Sequence, residues 1–151
     1  MIELELAKEA IFSLKRRGLS LGSVESLTGG LFASTLCSIP GASDVFAGSI
    51  VSYSPRIKIA MVGVSEKDIR EHGVVSKEVA IEMAEGGRKK LGVNLCVSFT
   101  GNAGPTAERG DAPVGRVEMA LATNRGTIHW SEDFEGERNQ IREACVIFML
   151  K

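Results

Sequence analysis

The chain has 151 residues, of which 44% are hydrophobic and 25% charged, with a formal net charge of -1. That length supports one compact domain with a core of its own. The near-neutral balance gives no electrostatic ground for nucleic acid or an anionic membrane as a partner, and no apolar run approaches the roughly 20 residues of a membrane span.

Leu4, Leu6, Ala7, Ala10, Ile11 and Leu14 recur at helical spacing, and the pattern stops at Gly18. A short strand fits Leu19 to Glu25. Leu31, Phe32, Thr35 and Leu36 then form one apolar helix face, ended by Pro40 and Gly41. Val45 to Tyr53 is rich in β-branched and aromatic residues and reads as a strand. Pro55 suits the first turn of a short helix carrying Lys58. Ser65 with Asp68 forms a capping box for a small helix ending near His72 and Gly73. Ser76 caps the next helix, whose apolar face is Val79, Ala80, Met83 and Ala84. Val93 to Thr100 is an apolar strand, and a loop follows to Pro113. Val117 to Thr123 and Thr127 to Phe134 make a hairpin turning at Asn124, Arg125 and Gly126. Gly136 to Leu150 closes the chain as a helix.

No repeat, low-complexity segment or linker interrupts this order. Alternating helices and strands over the first 100 residues predict a parallel sheet, to which the hairpin adds at least one antiparallel strand. The expected fold is a single α/β domain over residues 1–151, a three-layer α/β/α sandwich with a mostly parallel mixed sheet. The N-terminal MIELELAKEA lacks the layout of a signal peptide. Cys37, Cys96 and Cys145 are odd in number and widely spaced. They argue against a disulfide framework or metal site and for a reducing cytoplasm, with all three thiols expected in the core.

Ligands of such sheets gather outside the carboxyl ends of the strands. Ser26, Tyr53 and Thr100 stand at three such ends. Thr28, Gly29 and Gly30 open a helix, where free amides and the dipole favour an anion. A serine beside that point would have oxyanion donors at hand. Equally, Ser26 and Thr28 would serve only as caps, with glycines permitting the turn. A nucleophilic serine needs a base. His72 reads as a last-turn cation and His129 falls within the hairpin, which leaves Lys58. A lysine is a base only when neutral, so its pKa must fall toward 7–8; otherwise Lys58 is a solvated helix residue. Gly101, Asn102, Ala103 and Gly104 could lay backbone along a ligand or form a plain turn. Arg138 and Arg142, four apart, share a helix face that is either an anion grip or a solvated surface.

The segments VESLTGG, IPGAS, YSPRIK, EHGVVSKEVAIEMAEGGRKKLG, TGNAGP, APVG and FEGERNQIR occur in that order. Together they resemble the CinA C-terminal domain family, which includes nicotinamide-mononucleotide amidases of the PncC type, in its stand-alone form. The resemblance runs from the first helix to the last. It implies deamidation of nicotinamide mononucleotide to nicotinate mononucleotide and ammonia, with no metal or organic cofactor. Ser26 would be the nucleophile and Lys58 its base. Tyr53, Thr100 and Ser43 would shape and run the site, and Arg138 would bind substrate. Three departures bear on specificity. Pro55 stands where the family usually has asparagine and Asn102 where it has isoleucine. Thr106, Ala107 and Glu108 replace a run of glycines.

Three functions follow as expectations. The first is a serine–lysine amidohydrolase of a pyridine mononucleotide. The second is a CinA-like domain that binds a nucleotide or a partner with little or no turnover. The third is an amidase for a different small amide. The sequence is compatible with a homo-oligomer and does not define its order.

Overall fold

The computed structural model describes residues 4–107 and 111–151. Six helices and five strands follow along it: α1 (Leu4–Arg17), β1 (Leu21–Glu25), α2 (Leu31–Cys37), β2 (Phe46–Val51), α3 (Pro55–Val62), α4 (Glu66–His72), α5 (Lys77–Leu91), β3 (Leu95–Gly101), β4 (Arg116–Thr123), β5 (Gly126–Asp133) and α6 (Arg138–Leu150). A short 3-10 turn at Ala42–Asp44 precedes β2. β1, β2 and β3 are shorter than their apolar runs by one to three residues, while β4 begins one residue earlier than expected and β5 keeps its length with a shift of one residue.

The sheet order is β2-β1-β3-β4-β5. β1 pairs in parallel with β2 and β3, and β4 pairs antiparallel with β3 and β5. Four strands therefore run one way and β4 alone runs against them, which makes the sheet mixed and mostly parallel as expected. The chain leaves β1 for β2 on one side and returns for β3 on the other. The carboxyl end of β1 is thus a topological switch point, where crevices form in open α/β sheets.

Helices cover both faces. On one, Ala7 and Ile11 of α1, Phe32 and Leu36 of α2, and Ile141, Cys145 and Val146 of α6 pack on Val97, Phe99, Val117 and Met119. On the other, Val79 and Met83 of α5 and Val62 of α3 pack on Val24 and Cys96. Gly86 and Gly87 let α5 sit this close. A Cβ on Gly86 would lie 1.8 Å from the Val62 carbonyl, and one on Gly87 would lie 2.2 Å from Val24. This contact seats α3, and with it Lys58, beside the end of β1.

Two thiols behave as the sequence suggests. Cys96 and Cys145 are buried, and desolvation pushes both up to about 12. Cys37 departs from expectation: it ends α2 and is exposed. Among the described residues no helix is long and apolar enough to cross a membrane.

Candidate active site

Ser54 and Pro55 start α3. Ser54 is extended, as a residue before proline prefers, and its hydroxyl accepts from the Ile57 N–H at 3.3 Å. Lys58 follows one turn later and points under the sheet edge, 1% exposed. Its Nζ lies 2.9 Å from Ser26 Oγ, 2.6 Å from the Ser52 carbonyl and 3.2 Å from the Tyr53 carbonyl. Burial lowers its pKa from 10.5 to about 8, since the charged form loses water. Arg56 is exposed, and desolvation by itself accounts for the shift.

Ser26 sits at the first step beyond β1, its N–H donating to the Phe99 carbonyl at 3.1 Å. The turn after it is organised by a residue the sequence reading passed over. Glu25 is fully buried. Its Oε1 accepts from the N–H groups of Gly30 (3.2 Å) and Phe32 (3.0 Å). Its Oε2 accepts from Ala33 (3.1 Å) and lies 3.1 Å from the hydroxyls of Ser23 and Ser49. The start of α2 already holds an anion, and the anion belongs to the protein. Neither Ser26 nor Thr28 caps this helix; Gly30 is its left-handed N-cap (φ 98). One signal was available: an acidic residue in an inward strand position just ahead of a helix start.

The crevice over Ser26 has a volume of about 180 Å3. Leu27, Tyr53, Lys58, Thr100, Gly101, Asn102, Ala103 and Arg138 line it with Ser26. Tyr53 is 58% exposed and forms the rim. Arg138 spans the mouth: Nη2 donates to the Tyr53 hydroxyl at 2.8 Å and Nη1 to the Gly104 carbonyl at 2.5 Å. Thr100 is buried and donates to the Val74 carbonyl at 2.8 Å. It joins the crevice wall to the segment before α5. Asn102 braces the loop from within. Its Nδ2 donates to the Ala112 carbonyl at 2.9 Å, and its Oδ1 accepts from the Gly104 N–H at 2.9 Å.

Other expected site residues lie elsewhere. Ser43 lines a separate hollow with Cys37, Ile39 and Phe46, before the amino end of β2. Six strand residues at about 3.3 Å each put it roughly 20 Å from the carboxyl edge. Within one chain it is not part of the crevice. Gly29 and Gly30 do not line the crevice, and their N–H groups are engaged by the Ser26 carbonyl and Glu25. Thr28 is fully buried away from the lining, its hydroxyl without a partner among the described residues. Arg142 is occupied by backbone: Nε donates to the Leu27 carbonyl at 2.9 Å and Nη2 to the Thr28 carbonyl at 2.8 Å. His72 is an exposed last-turn residue of α4, and His129 faces Glu118 at 3.3 Å. Thr106 and Ala107 are exposed beyond the crevice lining, and Glu108 lies outside the described residues.

Comparison with known proteins agrees with this architecture. The CinA C-terminal domain profile matches residues 3–151. A CinA-like protein of Kosmotoga olearia is 39% identical over 147 residues, 97% of this chain and 36% of that protein. The chain thus spans about a third of that relative's length, as it does of a Bacillus pumilus relative (35%). A Shigella flexneri protein named nicotinamide-nucleotide amidohydrolase PncC is 38% identical over 149 residues, 98% of this chain and 90% of that protein. The crystal structure of a competence/damage inducible protein from Agrobacterium tumefaciens superposes with a TM-score of 0.95 at 33% identity, covering 99% of this chain and 94% of that one. By sequence over its whole described length and by fold, the chain belongs to the CinA C-terminal domain family.

Proposed function

We propose that the chain is an amidohydrolase that converts nicotinamide mononucleotide to nicotinate mononucleotide and ammonia, with Ser26 as nucleophile and Lys58 as general base. One observation carries this reading: the three oxygens around Lys58 Nζ. A neutral amine has two N–H donors and one lone pair. The Ser52 and Tyr53 carbonyls can only accept, so they take the two donors. The lone pair is then left for the Ser26 hydroxyl, and a lysine with a pKa of about 8 is neutral in a useful fraction near neutral pH.

In the first half-reaction Ser26 Oγ bonds to the carboxamide carbon and its proton passes to Lys58. The C–N bond breaks as Lys58 returns that proton to the leaving nitrogen, releasing ammonia. In the second, water attacks the Ser26 ester, Lys58 takes its proton, and the acid leaves as the serine hydroxyl is restored. Oxyanion donation falls to the N–H of Leu27, a crevice-lining residue, because the N–H groups of Ser26, Gly29 and Gly30 are already engaged and Thr28 lies off the lining.

A crevice of about 180 Å3 takes one end of a ligand, below the ~300–1,000 Å3 of pockets that enclose a whole one. The carboxamide ring enters, and the ribose and phosphate lie past Arg138 in the adjoining hollow of about 540 Å3. That small size also favours the alternative of an amidase for another small amide. Ammonia release from nicotinamide mononucleotide by metal-free protein, abolished in Ser26→Ala, is the expected result. Turnover of other amides with none of this one would move the assignment to that alternative.

A further inference from the structure

We propose that Arg142 is a positioning residue for the nucleophile turn, a role that rests on the hydrolase reading above. The turn from Ser26 to Gly30 is held from two sides by opposite charges. Glu25 gathers N–H groups at its end, and Arg142 gathers the Leu27 and Thr28 carbonyls at its middle. Asn139 steadies the guanidinium in turn, its Oδ1 accepting from Nη1 at 2.9 Å. Gly29 takes the left-handed φ of 56 that the turn requires, and a Cβ there would be in ordinary contact with Arg142 Nη2 at 3.5 Å.

This grip controls the amides that matter. The Ser26 N–H donates to Phe99, the Gly29 N–H to Ser26 and the Gly30 N–H to Glu25. The N–H groups of Leu27 and Thr28 have no acceptor among the described residues. A trans peptide points its C=O and N–H in opposite directions. Holding the Thr28 carbonyl against α6 therefore turns the Gly29 N–H to the opposite side of that peptide, where the Ser26 carbonyl accepts it. The Ser26 carbonyl, bonded to the Gly29 N–H, fixes the Leu27 N–H in the same way. Arg142 does not itself line the crevice; it reaches it only through the backbone carbonyl of Leu27. It sets the Leu27 donor beside Ser26 before substrate arrives, and preorganised donors are what lower an oxyanion barrier. The planar guanidinium holds its two donors in a fixed fork, whereas an ammonium on a flexible stem does not fix the relative direction of the two carbonyls.

The test compares the parent chain with Arg142→Lys and Arg142→Met in two assays. One is steady-state hydrolysis of nicotinamide mononucleotide. The other is the rate at which a fluorophosphonate labels Ser26, where Oγ displaces fluoride from phosphorus, the proton passes to Lys58, and the phosphoryl oxygen uses the same donor. Circular dichroism and a cooperative melt establish that each variant is folded. The expected result is a fall of about tenfold or more in both kcat and labelling rate for Arg142→Met. Arg142→Lys should fall between it and the parent, with KM within about twofold throughout. A rise in KM with kcat and labelling unchanged would make Arg142 a substrate ligand and overturn the proposal. Unchanged labelling, no labelling of the parent, or loss of the cooperative melt in both variants would overturn it too. A parent that labels at Ser26 but does not hydrolyse the nucleotide refutes the assigned substrate, while the labelling ratio still decides the role of Arg142.

Discussion

Lys58 Nζ and Ser26 Oγ lie 2.9 Å apart across 32 positions of sequence. The contact spans two elements, the end of β1 and the first turns of α3. It joins them where β1 has neighbours from both crossovers. Its chemistry depends on protonation, and burial sets that.

Activity should rise with pH through about 8 as Lys58 loses its proton. Stability moves the same way. The folded pKa lies below the unfolded value of 10.5, so between about 8 and 10.5 the unfolded chain binds the extra proton and stability climbs with pH. Below about 8 both states are protonated and the full cost, about 3 kcal/mol, is present. Urea unfolding at pH 7 and 10 should show a gain in the parent that is smaller by about that amount in Lys58→Met. An equal gain in both would place the titration elsewhere.

Ser26→Ala should lose turnover yet melt within a few degrees of the parent, because the hydroxyl adds little packing. Lys58→Arg should also be inactive, since a guanidinium does not become neutral. Measurable ammonia release above background from either variant would remove that residue from the mechanism.

Arg138 and Tyr53 meet over the mouth at 2.8 Å. Arg138→Gln should raise KM by about tenfold, more than it lowers kcat, because a charged contact to an anionic substrate is worth about 1.5–3 kcal/mol. Tyr53→Phe should raise KM by less, as it removes one arm of the contact. Initial-rate kinetics separate the two parameters, and an unchanged KM in Arg138→Gln would exclude it from substrate binding.

Glu25→Gln should destabilise the domain by about 3 kcal/mol. The amide nitrogen replaces one carboxylate oxygen and faces donors, leaving the buried N–H groups at the start of α2 short of an acceptor. Chemical denaturation measures the loss. A change below about 1 kcal/mol would mean that water replaces the lost bonds.

Sequence by itself determined the element order, the fold class and the family. These follow from short-range physics: apolar spacing, the Ser65 and Ser76 caps, and Pro55 at a helix start all act within a few residues. The carboxyl-edge positions of Ser26, Tyr53 and Thr100 were equally legible, because parity and strand ends are local. Tertiary structure decided which groups each of these residues meets. Glu25, not a ligand, occupies the start of α2; Arg142 holds carbonyls instead of a phosphate; Ser43 lies beyond the other end of β2. No local pattern encodes those partners. A polar group bonds to whichever buried donor or acceptor the packed sheet and helices bring within about 3 Å, and the low pKa of Lys58 exists only once α3 is pressed against β1 and water is excluded.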